Sequence, residues 1–314
     1  MSKLRIVFMG TPDFAVTILA KVLENNYNVV GVITAPDKQA GRGRKIQQSA
    51  VKKYAFEKKL HLLQPTNLKS PDFQKELEAL QPNLQIVVAF RMLPSSVWSL
   101  PKLGTFNLHA SLLPDYRGAA PINWAIINGE TETGTSTFFL DDKIDTGEII
   151  LQNKTSIEPT ETVGQLHDKL MHLGSNLVIE TLKLIEKGNV TTQKQANHSD
   201  KLAYKIHTDT CKIDWNNTSQ QIFNHIRGLN PYPAAWTTLV NHKEKIKAKI
   251  YNCEVFIENH DYKFGTIITD KKTLKVATLD GFIQINQIKL AGKKLMDTAS
   301  LLNGYAILDG SNMQ

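Results

Sequence analysis

Along the first half of the chain, short and almost wholly apolar runs alternate with segments of helical period. LRIVFM (4–9), NVVGVIT (28–34) and LQIVVAF (84–90) predict buried strands. TFNLHA (105–110) predicts a fourth strand, and STFFLDD (136–142) and EIILQNKTSI (148–157) two later ones of mixed direction. Between them, helices are expected from about Pro12 to Asn25, over AVKKYAFEKKL (50–60) and around Ala119 to Asn128. Thr11 suits the N-cap of the first helix and Pro12 its first turn. Strands with continuous apolar cores that alternate with helices define an α/β domain on a largely parallel sheet.

The period then changes twice. A long helix is predicted from Thr162 to Glu186, with Leu166, Leu170, Leu173 and Leu177 near one face and Gly188 as its stop. The following polar stretch is poor in large apolar residues and reads as a linker, placed at 189–207. After a short helix from Ser219 to Leu229, the runs KIKAKIY, GTIIT, TLKVAT and FIQINQI alternate with period two, and Asp280-Gly281 makes a good hairpin turn. The expected organisation is therefore an α/β domain over 1–188 and a smaller antiparallel β domain, a barrel, over 208–314.

Composition narrows the class. With 314 residues, 41% of them hydrophobic, the chain can build two medium cores. Cys211 and Cys253 make no disulfide framework and show no metal spacing, which points to a reducing, cytoplasmic setting. No apolar run approaches the roughly 18 residues of a membrane helix, and the opening LRIVFMG is too short for a signal peptide. The formal charge is +7, and its placement is uneven. Between Lys38 and Lys59 stand eight basic residues and one acidic residue, a local excess equal to that of the whole chain. This cluster opens in a glycine-rich loop (36–48) whose Arg42, Arg44 and Lys45 are candidates for contact with phosphate or nucleic acid. Residues 208–314 hold thirteen basic and ten acidic residues, so that region is expected to contribute shape more than bulk charge.

Candidate chemistry lies between. Asn107 and His109 sit two apart in a predicted strand and share one face, while Phe106 and Leu108 point to the other. Asp145 lies in a loop, followed by Gly147. An amide, an imidazole and a carboxylate are the groups needed to stabilise a developing oxyanion and move a proton. An Asn-x-His pair alone is weak, since a strand histidine is commonly a hydrogen-bonded core residue. SLLPDYRG (111–118) adds a turn where open α/β sheets place their ligand crevices. The dinucleotide glycine fingerprint and the phosphate-binding GxxxxGK[ST] run are both missing, and His109 has no second ligand at metal spacing, so neither a nicotinamide cofactor nor a metal is expected.

NLHASLLPDYRGAAPINWA together with IDTGEII resembles the 10-formyltetrahydrofolate-dependent formyltransferase family, and the resemblance covers nearly the whole chain. It implies a Rossmann-like catalytic domain followed by an OB-like barrel, with Asn107, His109 and Asp145 as the catalytic trio. It also implies 10-formyltetrahydrofolate as co-substrate, lying against Ser111, Leu112, Leu113 and Pro114 and the loops around Arg91 to Leu93 and Asp141 to Asp145, including Asp142. TAPDKQAGRGRK (34–45), LAYKIHTDTCKIDW (202–215) and IRGLNPYPAAW (226–236) resemble the members that formylate initiator methionyl-tRNA. By that likeness Arg42, Arg44 and Lys45 meet the acceptor stem, and the enzyme acts in translation initiation; with no obvious dimer helix in the sequence, a monomer is expected. Arg91 stands where many relatives carry a small residue, and Asp115 where a basic one is common. The alternatives are a formyltransferase or hydrolase of the same folate acting on a small molecule, and, from another class, a non-catalytic RNA-binding protein. The last leaves Asn107, His109 and Asp145 without a role.

Overall fold

The computed structural model describes residues 3–40 and 45–314, with only the backbone at 40 and 45. Arg42 and Arg44 lie outside the described residues, as does the side chain of Lys45. The chain divides into two compact units: residues 1–118, 133–155 and 167–202, and residues 119–132, 156–166 and 203–314.

In chain order the first unit starts with β1 (Ile6–Gly10), α1 (Asp13–Glu24) and β2 (Val29–Ile33). A short antiparallel hairpin, β3 (Lys38–Ala40) and β4 (Lys45–Gln47), follows, then α2 (Ala50–Glu57) and β5 (Leu62–Leu63). Next come α3 (Pro71–Ala79), β6 (Leu84–Val88), α4 (Ser95–Trp98), β7 (Thr105–His109) and β8 (Arg117–Gly118). After α5 (Pro121–Ile127), which belongs to the second unit, stand β9 (Glu132–Phe139), β10 (Ile149–Ser156), α6 (Val163–Lys187) and β11 (Leu202–Ala203). The main sheet runs β10-β9-β7-β6-β1-β2-β5. β5, β2, β1, β6 and β7 are parallel, and β9 pairs antiparallel with β7. This is the largely parallel, Rossmann-like sheet that the apolar runs predict. Successive strands first build outward from β1 through β2 to β5 and then resume on its other side at β6. That reversal makes the carboxyl ends of β1 and β6 the topological switch point, where such sheets bind ligands.

Several boundaries differ from expectation. α1 begins at Asp13; Pro12 occupies the capping position with φ −83° and ψ 177°, and no side chain caps the helix. Thr11 is thus one residue too early to be the N-cap, because the first helical hydrogen bond, from Val16 N, ends on the Pro12 carbonyl (3.3 Å). β9 starts at Glu132 rather than 136, since Thr133, Thr135, Ser136 and Thr137 are buried strand residues despite their hydroxyls. The Thr137 and Thr181 hydroxyls share a hydrogen bond of 2.8 Å that makes such burial tolerable. α3 was not anticipated, although Ser70 caps it by accepting from Phe73 N (3.3 Å) and Pro71 opens its first turn. Packing is tightest in the central sheet, where Phe8, Phe106 and Phe138 are among the largest fully buried side chains. At Gly10 a Cβ would lie 2.5 Å from that of Ala15, so only glycine lets α1 leave β1 so sharply.

In the second unit α7 (Ser219–Gly228) carries a capping box between Thr218 and Gln221. It is followed by β12 (Ala235–Asn241), β13 (Glu244–Ile257), β14 (Ile267–Thr269), β15 (Leu274–Ala277), β16 (Gly281–Leu290), β17 (Met296–Asp297), α8 (Thr298–Gly304) and β18 (Asn312–Met313). The antiparallel order is β14-β15-β16-β13-β12-β18, and a bridge between Thr266 and Asn312 brings its two edges together, so the barrel is nearly closed. Strict inward alternation in β12 feeds a core of Trp215, Ile222, Leu239, Ile250, Ile283 and neighbours. Arg227 is buried yet satisfied: it donates to Asn224 Oδ1 (2.9 Å) and to the carbonyls of Glu158 (3.3 Å) and Glu161 (3.0 Å). Burial draws its pKa down, opposed by the charge of Glu161.

Replacing Phe106 by alanine is expected to cost about 3–5 kcal/mol, because a fully buried aromatic leaves a cavity beneath the strand that carries Asn107 and His109. Chemical denaturation followed by circular dichroism measures it.

Candidate active site

β7 ends at His109 beside β6, one of the two strands at the switch point, and its alternation sets the direction of each side chain. Phe106 and Leu108 are buried in the core, while Asn107 and His109 share the opposite face. His109 Nε2 lies 2.8 Å from the carbonyl of Tyr116, which can only accept, so this nitrogen carries the hydrogen. Its Nδ1 faces Asp145 Oδ2 at 3.8 Å, beyond direct hydrogen-bond reach but close in electrostatic terms. The same carboxylate oxygen accepts the amide of Gly118 at 2.9 Å. The three-residue segment Tyr116–Gly118 therefore touches both groups, His109 through one carbonyl and Asp145 through one amide.

Asn107 completes the arrangement. Its Oδ1 is buried and has no hydrogen-bond partner among the described residues. Rotation about the terminal bond exchanges Oδ1 for Nδ2, so the same buried position can present a donor. A buried polar atom left without a partner costs stability. The site thus combines an uncommitted amide, an oriented imidazole and a carboxylate at the carboxyl end of a central strand.

Asp145 itself adopts φ +55°, a left-handed conformation rare outside glycine. Its loop is braced from within, since Asp141 accepts from the Thr146 hydroxyl (2.7 Å) and from Lys143 N (3.0 Å). Gly147 closes the loop against β9: a Cβ there would sit 1.7 Å from the Phe139 carbonyl oxygen.

The remaining residues named from the sequence are distributed as follows. The Ser111 side chain is fully buried and its hydroxyl donates to the Asp115 carbonyl (2.6 Å). Leu113 packs with Phe138 and Ile149 in a small core, whereas Leu112 and Pro114 are half-buried. Ser136 organises this turn: its hydroxyl donates to Ser111 O (2.6 Å) and accepts from Leu113 N (3.1 Å) and Gln152 Nε2 (2.8 Å). Arg91 is exposed; its two terminal nitrogens donate to the carbonyls of Pro65 and Thr66, and its guanidinium stacks on Phe90. Leu93 is buried in the core beside β1 and β6, and Asp142 is exposed. Asp115, unusual in its motif, accepts from Ser199 Oγ (2.7 Å) and pairs with Lys201 at 3.8 Å.

The basic segment is a hairpin with a clamped base. Asp37 accepts from Lys52 Nζ (2.6 Å) and Gln64 Nε2 (3.0 Å), and these two bonds, in that order, hold its carboxyl below the usual range. In the second unit, β13 turns Lys245, Lys247 and Lys249 alternately outward, with Lys289 opposite Lys249. Lys247 Nζ lies 3.7 Å above the Trp236 ring, a cation on an aromatic platform.

The fold is an open α/β sheet followed in the chain by an antiparallel barrel, and the comparisons define the class of enzyme. The chain belongs to the formyl transferase family: residues 4–182 match the formyl transferase model and residues 205–306 that of its C-terminal domain. It is 60% identical over 310 residues to the methionyl-tRNA formyltransferase of Flavobacterium johnsoniae, covering 98% of both chains. It is 53% identical over 316 residues to that of Bacteroides thetaiotaomicron, covering 99% of this chain and 98% of the relative. Among solved structures, an N-formyltransferase from Helicobacter canadensis in complex with folinic acid and dTDP-3-aminofucose shares the fold, with a TM-score of 0.66 and 23% identity over 90% of this chain and 98% of that one.

Arg117 and Gln195 were not anticipated from the sequence. Arg117 stands within the quoted SLLPDYRG motif, whereas Gln195 lies in a polar stretch with no pattern to mark it. The Ser136→Ala variant is expected to lose about 1–3 kcal/mol of stability, because it strips partners from the buried Leu113 amide and Ser111 carbonyl. A thermal melt beside the wild type checks this.

Proposed function

We propose that this chain transfers the formyl group of 10-formyltetrahydrofolate to the α-amino group of initiator methionyl-tRNA, as a step of cytoplasmic translation initiation. The observation that carries the reading is identity of 60% and 53% over nearly the full length with proteins so named. The chemistry of the strand-end trio supports it independently.

The folate supplies a formyl carbon activated on nitrogen. The unpartnered Asn107 amide suits the oxygen of that group, where negative charge develops as an amine attacks. His109, anchored through Nε2 on Tyr116, adds a second polar group on the same strand face. Asp145, held by the Gly118 amide, orients the imidazole and through water carries the proton released by the amine to the folate N10, as the bond between the formyl carbon and N10 breaks and tetrahydrofolate leaves. The folate is placed along Leu112 and Pro114 and the backbone of the loops at 91–93 and 141–145. Ser111 and Leu113 shape that wall from inside the core.

For the acceptor, Arg42, Arg44 and Lys45 are assigned to the acceptor stem. The lysine-bearing face of β13, with Trp236, is assigned to phosphates elsewhere on the tRNA. A small-molecule acceptor needs neither feature.

Asn107→Ala is expected to lower kcat by roughly 10²–10³, the usual effect of removing one oxyanion donor. His109→Ala is expected to abolish turnover, and both variants should keep wild-type affinity for tRNA in a filter-binding assay. Near wild-type turnover by either would sink the assignment. Neutral replacements at Arg42, Arg44 and Lys45 should flatten the dependence of log affinity on log salt by up to about one unit per lost phosphate contact. An unchanged slope would remove the hairpin from the interface.

A further inference from the structure

We propose that Gln195 is a positioning residue for the His109–Asp145 pair, acting as a four-bond clip between the Asp145 loop and the Tyr116–Gly118 segment. Its side-chain amide donates to the carbonyls of Asp145 (3.0 Å) and Gly147 (2.7 Å). Its Oε1 accepts from Arg117 Nε (3.1 Å) and Nη2 (2.7 Å). These four bonds use both hydrogens and both lone pairs of the amide, so none of its polar capacity is left for solvent.

What the clip joins gives it consequence. Arg117 lies between Tyr116, whose carbonyl anchors His109 Nε2, and Gly118, whose amide binds Asp145 Oδ2. Gln195 therefore ties the backbone of the carboxylate loop to the one segment that touches both reacting side chains. Asp145 is left-handed, a conformation that persists only where neighbours over-determine it. Its internal brace, Asp141 with Thr146, fixes the far side of the loop, and Gln195 holds the side that bears the carboxylate. Gln195 is itself anchored. Gln193 and Ile149 exchange two backbone bonds of 2.8 Å, the Thr192 hydroxyl donates to Glu148, and Arg117 Nη2 reaches the Ala196 carbonyl (3.0 Å). The polar stretch after α6, which the sequence presents as a linker, thus carries a support for the site. The hydrogen bonds of the Gln195 side chain go to Arg117, Asp145 and Gly147, so its action passes through Asp145 and Arg117.

This inference rests on the proposed roles of His109 and Asp145, and the test separates the two. Gln195→Ala is expected to lose about 10- to 100-fold in kcat, as for a sub-ångström to ångström misplacement of a reacting group. KM for folate and for tRNA should stay within about twofold, because no substrate contact is removed. Gln195→Glu is the discriminating variant. It gains an ion pair with Arg117 but sets a carboxylate against two carbonyl oxygens, so its kcat should fall below that of Gln195→Ala. A residue that served only to tie down the chain would give the opposite order, which overturns the proposal. Gln195→Met keeps the bulk without the hydrogen bonds and must show the same kcat loss if the alanine variant unfolds. An unchanged kcat in the folded alanine or methionine variant, or a loss confined to KM, also overturns the proposal. His109→Ala is assayed alongside. If it turns over normally, the site reading fails and the clip with it; if it is inactive beside a fully active Gln195→Ala, only the clip fails.

Discussion

The site depends on two hydrogen bonds made by backbone groups of Tyr116 and Gly118, which flank Arg117 in one short segment. The Tyr116 carbonyl receives His109 Nε2 and the Gly118 amide reaches Asp145 Oδ2. His109 ends a central strand and Asp145 lies 36 positions later in a loop, and nothing in the sheet hydrogen bonding itself sets their separation. The turn does so by gripping one group with an acceptor and the other with a donor. Tyr116 and Asp145 both adopt positive φ, with values of +61° and +55°, so the backbone is held away from its ordinary basins at two of the points where it serves the site.

The surrounding packing serves this turn. Ser136 on β9 binds Ser111 and Leu113 and so fixes the chain that leads into it. Phe106, Phe138 and Leu113 fill the core behind it, and Gly147 permits the loop of Asp145 to close directly on the Phe139 carbonyl. Preorganisation of this kind matters because a donor or base contributes to rate only when it need not be reoriented during the reaction. Among the described residues, one of the buried polar atoms left without a partner belongs to Asn107, where the proposed chemistry needs one.

Much of this was legible in the residues. Strand alternation places Asn107 and His109 on one face, and the apolar runs describe the parallel sheet, because both follow from the period of side-chain direction. Asp145 was a candidate carboxylate in a distant loop, and only the family resemblance tied it to His109, since its approach is long-range. The Tyr116 carbonyl and Gly118 amide had no signature, as every residue offers the same backbone groups. Gln195 was hidden in a polar stretch whose composition suits a linker. The basic segment was visible as charge, yet Lys52 gives its charge to Asp37 just outside the run, so part of the apparent excess is spent within the protein. β9 was set too late because buried threonines resemble a polar turn until their hydroxyl partners are known.

The central claim is that a formyl group leaves the folate for the amine of an aminoacyl-tRNA. The most direct measurement supplies formyl-labelled 10-formyltetrahydrofolate together with initiator methionyl-tRNA, glycinamide ribonucleotide and an amino-sugar nucleotide in one reaction. Label is expected on the tRNA alone, released by alkaline hydrolysis as formylmethionine. Label on either small amine, or its appearance only as free formate, would contradict it.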